Sequence, residues 1–87
     1  MRIVVTQKDI DKGRRTDSFS CPISQSVRRR FKDSDPCTGI DILNLTLKGR
    51  RYEGVPLPTK AQTFIYNFDM DRGIPTKTFA FELKIPD

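Results

Sequence analysis

TGIDILNLTLKGRRYE, Thr38 to Glu53, decides the fold, because it reads as a strand, a turn and a returning strand in the middle of the chain. Ile40, Ile42, Leu43, Leu45 and Leu47 are separated by polar residues, the alternation that sets one face of a strand against a core. The alternation slips at Ile42-Leu43, which predicts either a bulge or a strand whose first part is a turn. Lys48-Gly49 then predicts a hairpin turn, with Arg50-Arg51-Tyr52-Glu53 as the partner strand.

Outward from this hairpin, each flank carries a helix and each end of the chain a strand. On the upstream side lies SCPISQSVRRRFKD, Ser20 to Asp33. Ser20 is an expected N-cap, Pro22 suits the first turn because its missing N–H is not needed there, and Ile23, Val27 and Phe31 recur every four residues. This predicts an amphipathic helix whose outer side and flanks carry Arg28, Arg29 and Arg30, placed where cations suit the helix dipole. Asp33-Ser34-Asp35-Pro36 stops it, since proline disfavours helical geometry in the residue before it. Further upstream, Ile3-Val4-Val5 is a brief β-branched strand. Thr6 and Asp9 then set up a capped turn, which Gly13 is expected to end in a left-handed conformation. Gly13 to Ser18 reads as an exposed polar loop.

On the downstream side, Val55-Pro56-Leu57-Pro58 is extended by its prolines. Thr59 and Gln62 have capping-box spacing, and Ala61, Phe64, Ile65 and Phe68 share one face of a helix that Gly73 is expected to end. Phe79, Phe81, Leu83 and Ile85 alternate with Ala80, Glu82 and Lys84, a strand buried on one face. The order is β-α-β-β-α-β with an extra helical turn after the first strand. It predicts a single two-layer α+β domain over residues 1–87, with two helices packed on one face of a small sheet, the order of the ferredoxin-like class.

Composition narrows the chemistry. The chain has 87 residues, 36% hydrophobic and 31% charged, and no apolar run near the ~20 residues a membrane span needs. Polar Thr6, Gln7 and Lys8 follow Met-Arg-Ile-Val-Val, so no signal-peptide core is expected there. A cytoplasmic location with reduced cysteines follows. Histidine is absent, which excludes a Cys-His dyad, a Ser-His-Asp triad and any histidine-containing metal site. Cys21, in a first helical turn, has the setting of a stabilised thiolate, but small buried thiols at the two ends of a helix are the simpler account of Cys21 and Cys37. The pairs Asp33/Asp35 and Asp69/Asp71 sit at helix ends, where aspartate bonds local backbone. No catalytic residue, metal or cofactor is predicted, and the chain reads as a non-enzyme.

Charge is the remaining signal. Residues 1–32 hold nine Lys/Arg against three Asp/Glu, and residues 33–87 hold seven against eight. A first third this basic steers polyanions if the fold gathers its side chains. Nucleic-acid binding would use Arg14, Arg15, Arg28, Arg29 and Arg30 on phosphates, joined at the hairpin by Lys48, Arg50 and Arg51, with Tyr52 available for stacking. The same residues would equally meet an acidic protein surface. An RNA-recognition fold of this strand order would need exposed aromatics on its two central strands, where Tyr52 is the only candidate, and this favours a protein partner.

Val4-Val5-Thr6-Gln7 with Asp9-Ile10 and Gly13, the Cys21-Pro22-Ile23 helix start, Phe68-Asp69 and the terminal Phe79-Ala80-Phe81-Glu82-Leu83 resemble a group of short uncharacterised proteins encoded by bacteriophages and prophages. Many of that group carry a cysteine three residues before the Cys-Pro, where this chain has Ser18. The resemblance implies a phage gene product acting in the host bacterial cytosol. It also implies non-catalytic binding to a host protein or nucleoprotein complex, in the manner of an inhibitor of a defence system such as an anti-CRISPR. The alternative is direct nucleic-acid binding through the arginine face.

Overall fold

The computed structural model describes residues 1–70 and 76–86. Its elements run β1 (Arg2–Val5), α1 (Gln7–Lys12), α2 (Pro22–Arg30), β2 (Cys37–Thr38), β3 (Ile42–Leu47), β4 (Arg50–Pro56), α3 (Thr59–Met70) and β5 (Phe79–Glu82). This is the α+β order read from the sequence, with β2 as a two-residue addition. The expected ends of α3 at Gly73, with Asp71 and Arg72 before it, lie outside the described residues.

The central hairpin forms as its residues dictate. Leu43 and Leu45 are buried, and β3 pairs antiparallel with β4. Lys48 and Gly49 both take positive φ, 51° and 78°, the twist that joins two strands through a two-residue turn. Of the two explanations for the slip at Ile42-Leu43, the turn is the one found: Gly39 N–H closes on the Ile42 carbonyl at 2.8 Å, leaving Ile40 outside the strand. A bulge does occur, on the opposite strand. Leu43 faces Val55 but Leu45 faces Tyr52, so Glu53 and Gly54 oppose Asn44 alone. Gly54 accommodates this at φ 68°, and its N–H donates to Asn44 Oδ1 at 2.7 Å.

Three local expectations are corrected. Gly13 ends α1 in an extended conformation (φ −68°, ψ 147°), not a left-handed one. Glycine is required there by close approach, since a Cβ would lie 2.6 Å from Pro22 Cδ. The N-cap of α2 is Cys21, not Ser20, because Asp17 has already folded Ser20 into a turn: Oδ1 accepts from the N–H groups of Phe19 and Ser20. Cys21 Sγ accepts from Ser24 N–H at 3.5 Å and is buried in the core, while Cys37 is half-buried, and both thiols are free. At the start of α3, the Gln62 amide donates to the Leu57 carbonyl at 2.8 Å instead of closing a capping box on Thr59. The box at Thr6 and Asp9 forms as expected.

The single sheet divides in two, β1–β5 and β2–β3–β4, both antiparallel. Met1 and Leu83 exchange both backbone bonds, so Ile3–Phe81 and Val5–Phe79 are the next bonded pairs, and the carbonyls of Arg2 and Val4 face the outer edge of β1. Arg30 Nη1 donates to the Arg2 carbonyl and Arg29 Nη2 to that of Val4, at 2.9 Å for the latter. Side chains of α2 thus occupy the edge on which a continuous sheet would add a strand.

One apolar cluster nonetheless joins the two sheets. It draws Ile3 and Val5 from β1, Ile23 and Val27 from α2, Leu43, Leu45 and Val55 from the hairpin, and Ala61, Phe64, Ile65 and Phe68 from α3. Phe81 and Leu83 complete it, and the Phe64 ring lies 4.7 Å from that of Phe79. The stripes point inward at Ile23, Val27, Ala61, Phe64, Ile65, Phe68, Phe81 and Leu83, whereas Phe31, which is the extended C-cap of α2 and not part of the helix, is only partly buried, as are Phe79 and Ile85.

Candidate binding faces

The arginines singled out from the sequence divide over three places, and most of them are engaged within the chain. Arg15 Nε donates to the Phe68 carbonyl at 3.0 Å with its guanidinium 5.5 Å from the Phe68 ring, clamping the first loop to the end of α3. Arg14 beside it is exposed. On α2, Arg28 donates to the Phe19 carbonyl at 2.6 Å, and Arg29 and Arg30 cap β1 as described. Arg29 also meets Asp9 through two donors, at 3.3 and 3.1 Å. Asp9 is buried, and Thr6 supplies it with a backbone and a hydroxyl donor, so the arginine completes a saturated carboxylate.

At the hairpin, Arg51 Nη1 donates to the Asp35 carbonyl at 2.8 Å and to Thr46 Oγ1 at 3.3 Å. The Arg50 guanidinium lies 5.0 Å from the centroid of Tyr52, whose ring is half-buried against the core. Tyr52 is therefore not the open stacking platform that single-strand recognition uses. Two cations missed at the sequence level join the α2 set: Lys8 and Lys12, one turn apart on α1, share a shallow cleft with Arg28 and Arg29. Their spacing of four was the available signal.

An apolar face forms elsewhere, from Ile40, which the sequence pattern places in a strand, and from two α3 residues outside the predicted stripe. Ile40 (68% exposed), Tyr66 (43%) and Met70 (55%) come together around a cleft of about 180 Å³. Thr16, Asp17, Ser18, Cys21 and Thr38 form its other wall. Thr16 holds φ at 54°, a left-handed conformation that a β-branched residue adopts only under constraint. Two bonds hold it there: its N–H donates to Asp69 Oδ1 at 3.0 Å and its hydroxyl to the Arg15 carbonyl at 2.7 Å. Beneath, Ser24 Oγ bonds Thr38 Oγ1 at 2.7 Å and Thr38 N–H donates to the Ser18 carbonyl, tying β2 to the same loop.

Ile40 is exposed because the Gly39–Ile42 turn lifts it out of β3, and Tyr66 and Met70 stand one turn apart on the side of α3 away from Phe64 and Phe68. Ile40 belongs by sequence to the strand alternation, and Tyr66 and Met70 are four residues apart on α3, but no sequence spacing shows that the two segments meet. Among the described residues, no group of three or more Cys, Asp or Glu side chains is placed to hold a metal, and no helix is long and apolar enough to cross a membrane. No protein-family model, no curated protein and no solved structure matches the chain.

Proposed function

We propose that this protein acts by non-catalytic binding to a host macromolecule, docking through the face formed by Ile40, Tyr66 and Met70. The observation that carries the reading is the convergence of these three exposed apolar side chains, from two distant segments, on one cleft beside the constrained Thr16. Exposed apolar groups gathered in this way mark recognition surfaces, and aromatic and methionine side chains are the ones that contribute most at interface centres. A cleft of about 180 Å³ is smaller than ligand pockets, which run from about 300 to 1,000 Å³. It suits a single side chain inserted by a protein partner. The resemblance to short phage-encoded proteins extends this to a host protein or nucleoprotein complex, with blockade of a defence system as the proposed consequence.

Affinity purification from the bacterial host, with and without nuclease, followed by the same capture with Ile40→Asp and Met70→Asp, tests the proposal. Both sites are exposed, so the variants should fold normally and lose one defined protein that the wild type retains after nuclease. Retention of that protein by both variants would overturn the docking face. The alternative, nucleic-acid binding, draws support from the Lys8, Lys12, Arg28 and Arg29 cluster. It requires affinity for short duplexes that falls steeply with salt, each lost phosphate contact flattening the log–log slope by about 0.7 to 0.9.

A further inference from the structure

Phe19, in the loop before α2, is 59% exposed, further out than any other aromatic side chain of the protein. The remaining rings are occupied: Arg15, Arg30 and Arg50 lie against Phe68, Phe31 and Tyr52, while Phe64, Phe79 and Phe81 stack on one another. Among the described residues, neither a cation nor a second ring covers Phe19. Its backbone is nonetheless fixed from both sides, because its N–H donates to Asp17 Oδ1 at 3.0 Å and its carbonyl accepts from Arg28 Nη2 at 2.6 Å. A lone exposed apolar residue is ordinary on a protein surface. What sets this one apart is its surroundings.

Arg28 holds the Phe19 carbonyl and the Gln25 amide holds that of Ser20 at 3.4 Å, and both side chains also line the shallow cleft shared with Lys8, Lys12 and Arg29. The Phe19–Ser20 segment therefore borders a cationic surface. Lys8 and Lys12 are exposed, and neither ammonium has an ion pair or a hydrogen bond among the described residues. Arg28 uses one donor on Phe19 and keeps the rest of its guanidinium for another acceptor. The acid inside the cleft, Asp9, is buried and already matched by Arg29 and Thr6. Asp11 is held by the Gln7 amide at 2.9 Å, and Asp17 is turned to the backbone N–H groups of Phe19 and Ser20.

We infer that Phe19 and this cleft form a site for single-stranded nucleic acid, with one base stacked on the ring and neighbouring phosphates at Lys8, Lys12 and Arg28. The inference rests on the nucleic-acid alternative given above and gives it a site and a strandedness; Phe19 is not among the residues around the docking cleft. Every nucleotide of a single strand carries an open π face and a phosphate, so one repeating unit answers both the bare ring and the cations. A duplex keeps its bases stacked on one another and would engage the cations alone. An acidic peptide would pair with the cations and leave the ring in water. A lipid surface would take up the ring, but its neighbours Asp17, Ser18 and Ser20 are polar, and a single phenyl group falls well short of the apolar face that interfacial segments bury. Phe19 thus supplies the stacking platform that Tyr52, covered by Arg50, does not. Since phenylalanine has no hydrogen-bonding group, recognition through it is tolerant of base sequence.

Fluorescence anisotropy with labelled oligo-dT, oligo-U and a mixed-sequence duplex of equal length tests this. At least one single strand should bind more tightly than the duplex, and the tighter of the two identifies the natural strand as DNA or RNA. Phe19→Ala and Phe19→Leu, at an exposed position, should keep the wild-type melting temperature and the wild-type salt slope. Both should weaken single-strand binding about tenfold, or about 1.4 kcal/mol, the order of one base stacked on an aromatic ring. Phe19→Tyr, which keeps a π face, should bind as the wild type does. Lys8→Ala and Lys12→Ala should each flatten the slope of log affinity against log salt by about 0.7. Full single-strand affinity in Phe19→Leu, or a duplex bound as tightly as both single strands, would overturn the inference while leaving nucleic-acid binding by charge alone intact. Failure to bind any of the three oligonucleotides would remove both readings. Capture of anionic lipid vesicles that Phe19→Ala abolishes, with no oligonucleotide bound, would assign the ring to a membrane surface and equally overturn the inference.

Discussion

Arg29 ties a buried carboxylate to the edge of a strand. Its guanidinium donates to buried Asp9 and to the Val4 carbonyl, so removing it leaves a buried carboxylate short of two donors and an edge carbonyl uncapped. Stripping the partner from a buried charge costs about 3–5 kcal/mol when the pair is fully enclosed. Half of the Arg29 side chain is exposed and Thr6 continues to serve Asp9, so Arg29→Ala should cost about 2–3 kcal/mol. Arg28→Ala, which loses one bond to an exposed carbonyl, should cost less than about 1 kcal/mol when both variants are unfolded by urea titration. Equal effects would mean that Asp9 does not depend on Arg29. The sequence displayed three equivalent arginines, and nothing in a run of identical residues tells which one finds a carboxylate twenty positions away.

At the scale of elements, the junction between α1 and α2 turns on Gly13. A Cβ at this position would stand 2.6 Å from both Cδ and Cγ of Pro22, a ring that cannot rotate away, while the backbone there is extended and unstrained for any residue. Gly13→Ala should therefore lower stability by about 1–3 kcal/mol through overpacking, seen as a lower thermal midpoint. A variant as stable as the wild type would show that the loop yields easily. This separates the mechanism from the left-handed cap that the sequence position suggested, since a left-handed glycine cap would tolerate asparagine and this site, closed by the proline ring, would not. The hairpin behaves differently: Lys48-Gly49 adopts the conformation that its turn chemistry implies, because the constraint is local to two residues.

Across the whole molecule, the aromatic stripe of α3 packs against the last strand within the one apolar cluster that also holds the hairpin leucines. Phe64 and Phe68 are each 8% exposed, their rings stack at 6.0 Å, and Phe64 reaches Phe79 of the last strand. Truncating either to alanine should cost about 3–5 kcal/mol, and total stabilities of domains begin at about 5 kcal/mol. Phe64→Ala should accordingly be close to unfolded at 37 °C, as circular dichroism would show. A variant melting at the wild-type temperature would remove these residues from the core. Because Arg15 also rests on the Phe68 ring, Phe68→Ala should loosen the first loop in addition, including the strained Thr16 and the wall it gives the docking face.

What the sequence determined by itself were the features whose causes lie within a turn or a strand of the residue concerned. The stripes Ile23/Val27, Ala61/Phe64/Ile65/Phe68 and Phe81/Leu83 follow from helical and strand periods, the Thr6–Asp9 box from a spacing of three, and the hairpin from its turn residues. The tertiary structure alone decided the division of the sheet and the availability of the arginines, since Arg29 meets Val4 across 25 residues and Arg15 meets Phe68 across 53. It also decided the docking face and which hydroxyl is buried unpaired. Ile40 approaches Tyr66 and Met70, and Ser34 faces the hairpin without a partner for its hydroxyl, only after the chain has closed. Periodicity specifies which way a side chain points from its own element; what lies opposite it is set by packing between elements distant in sequence.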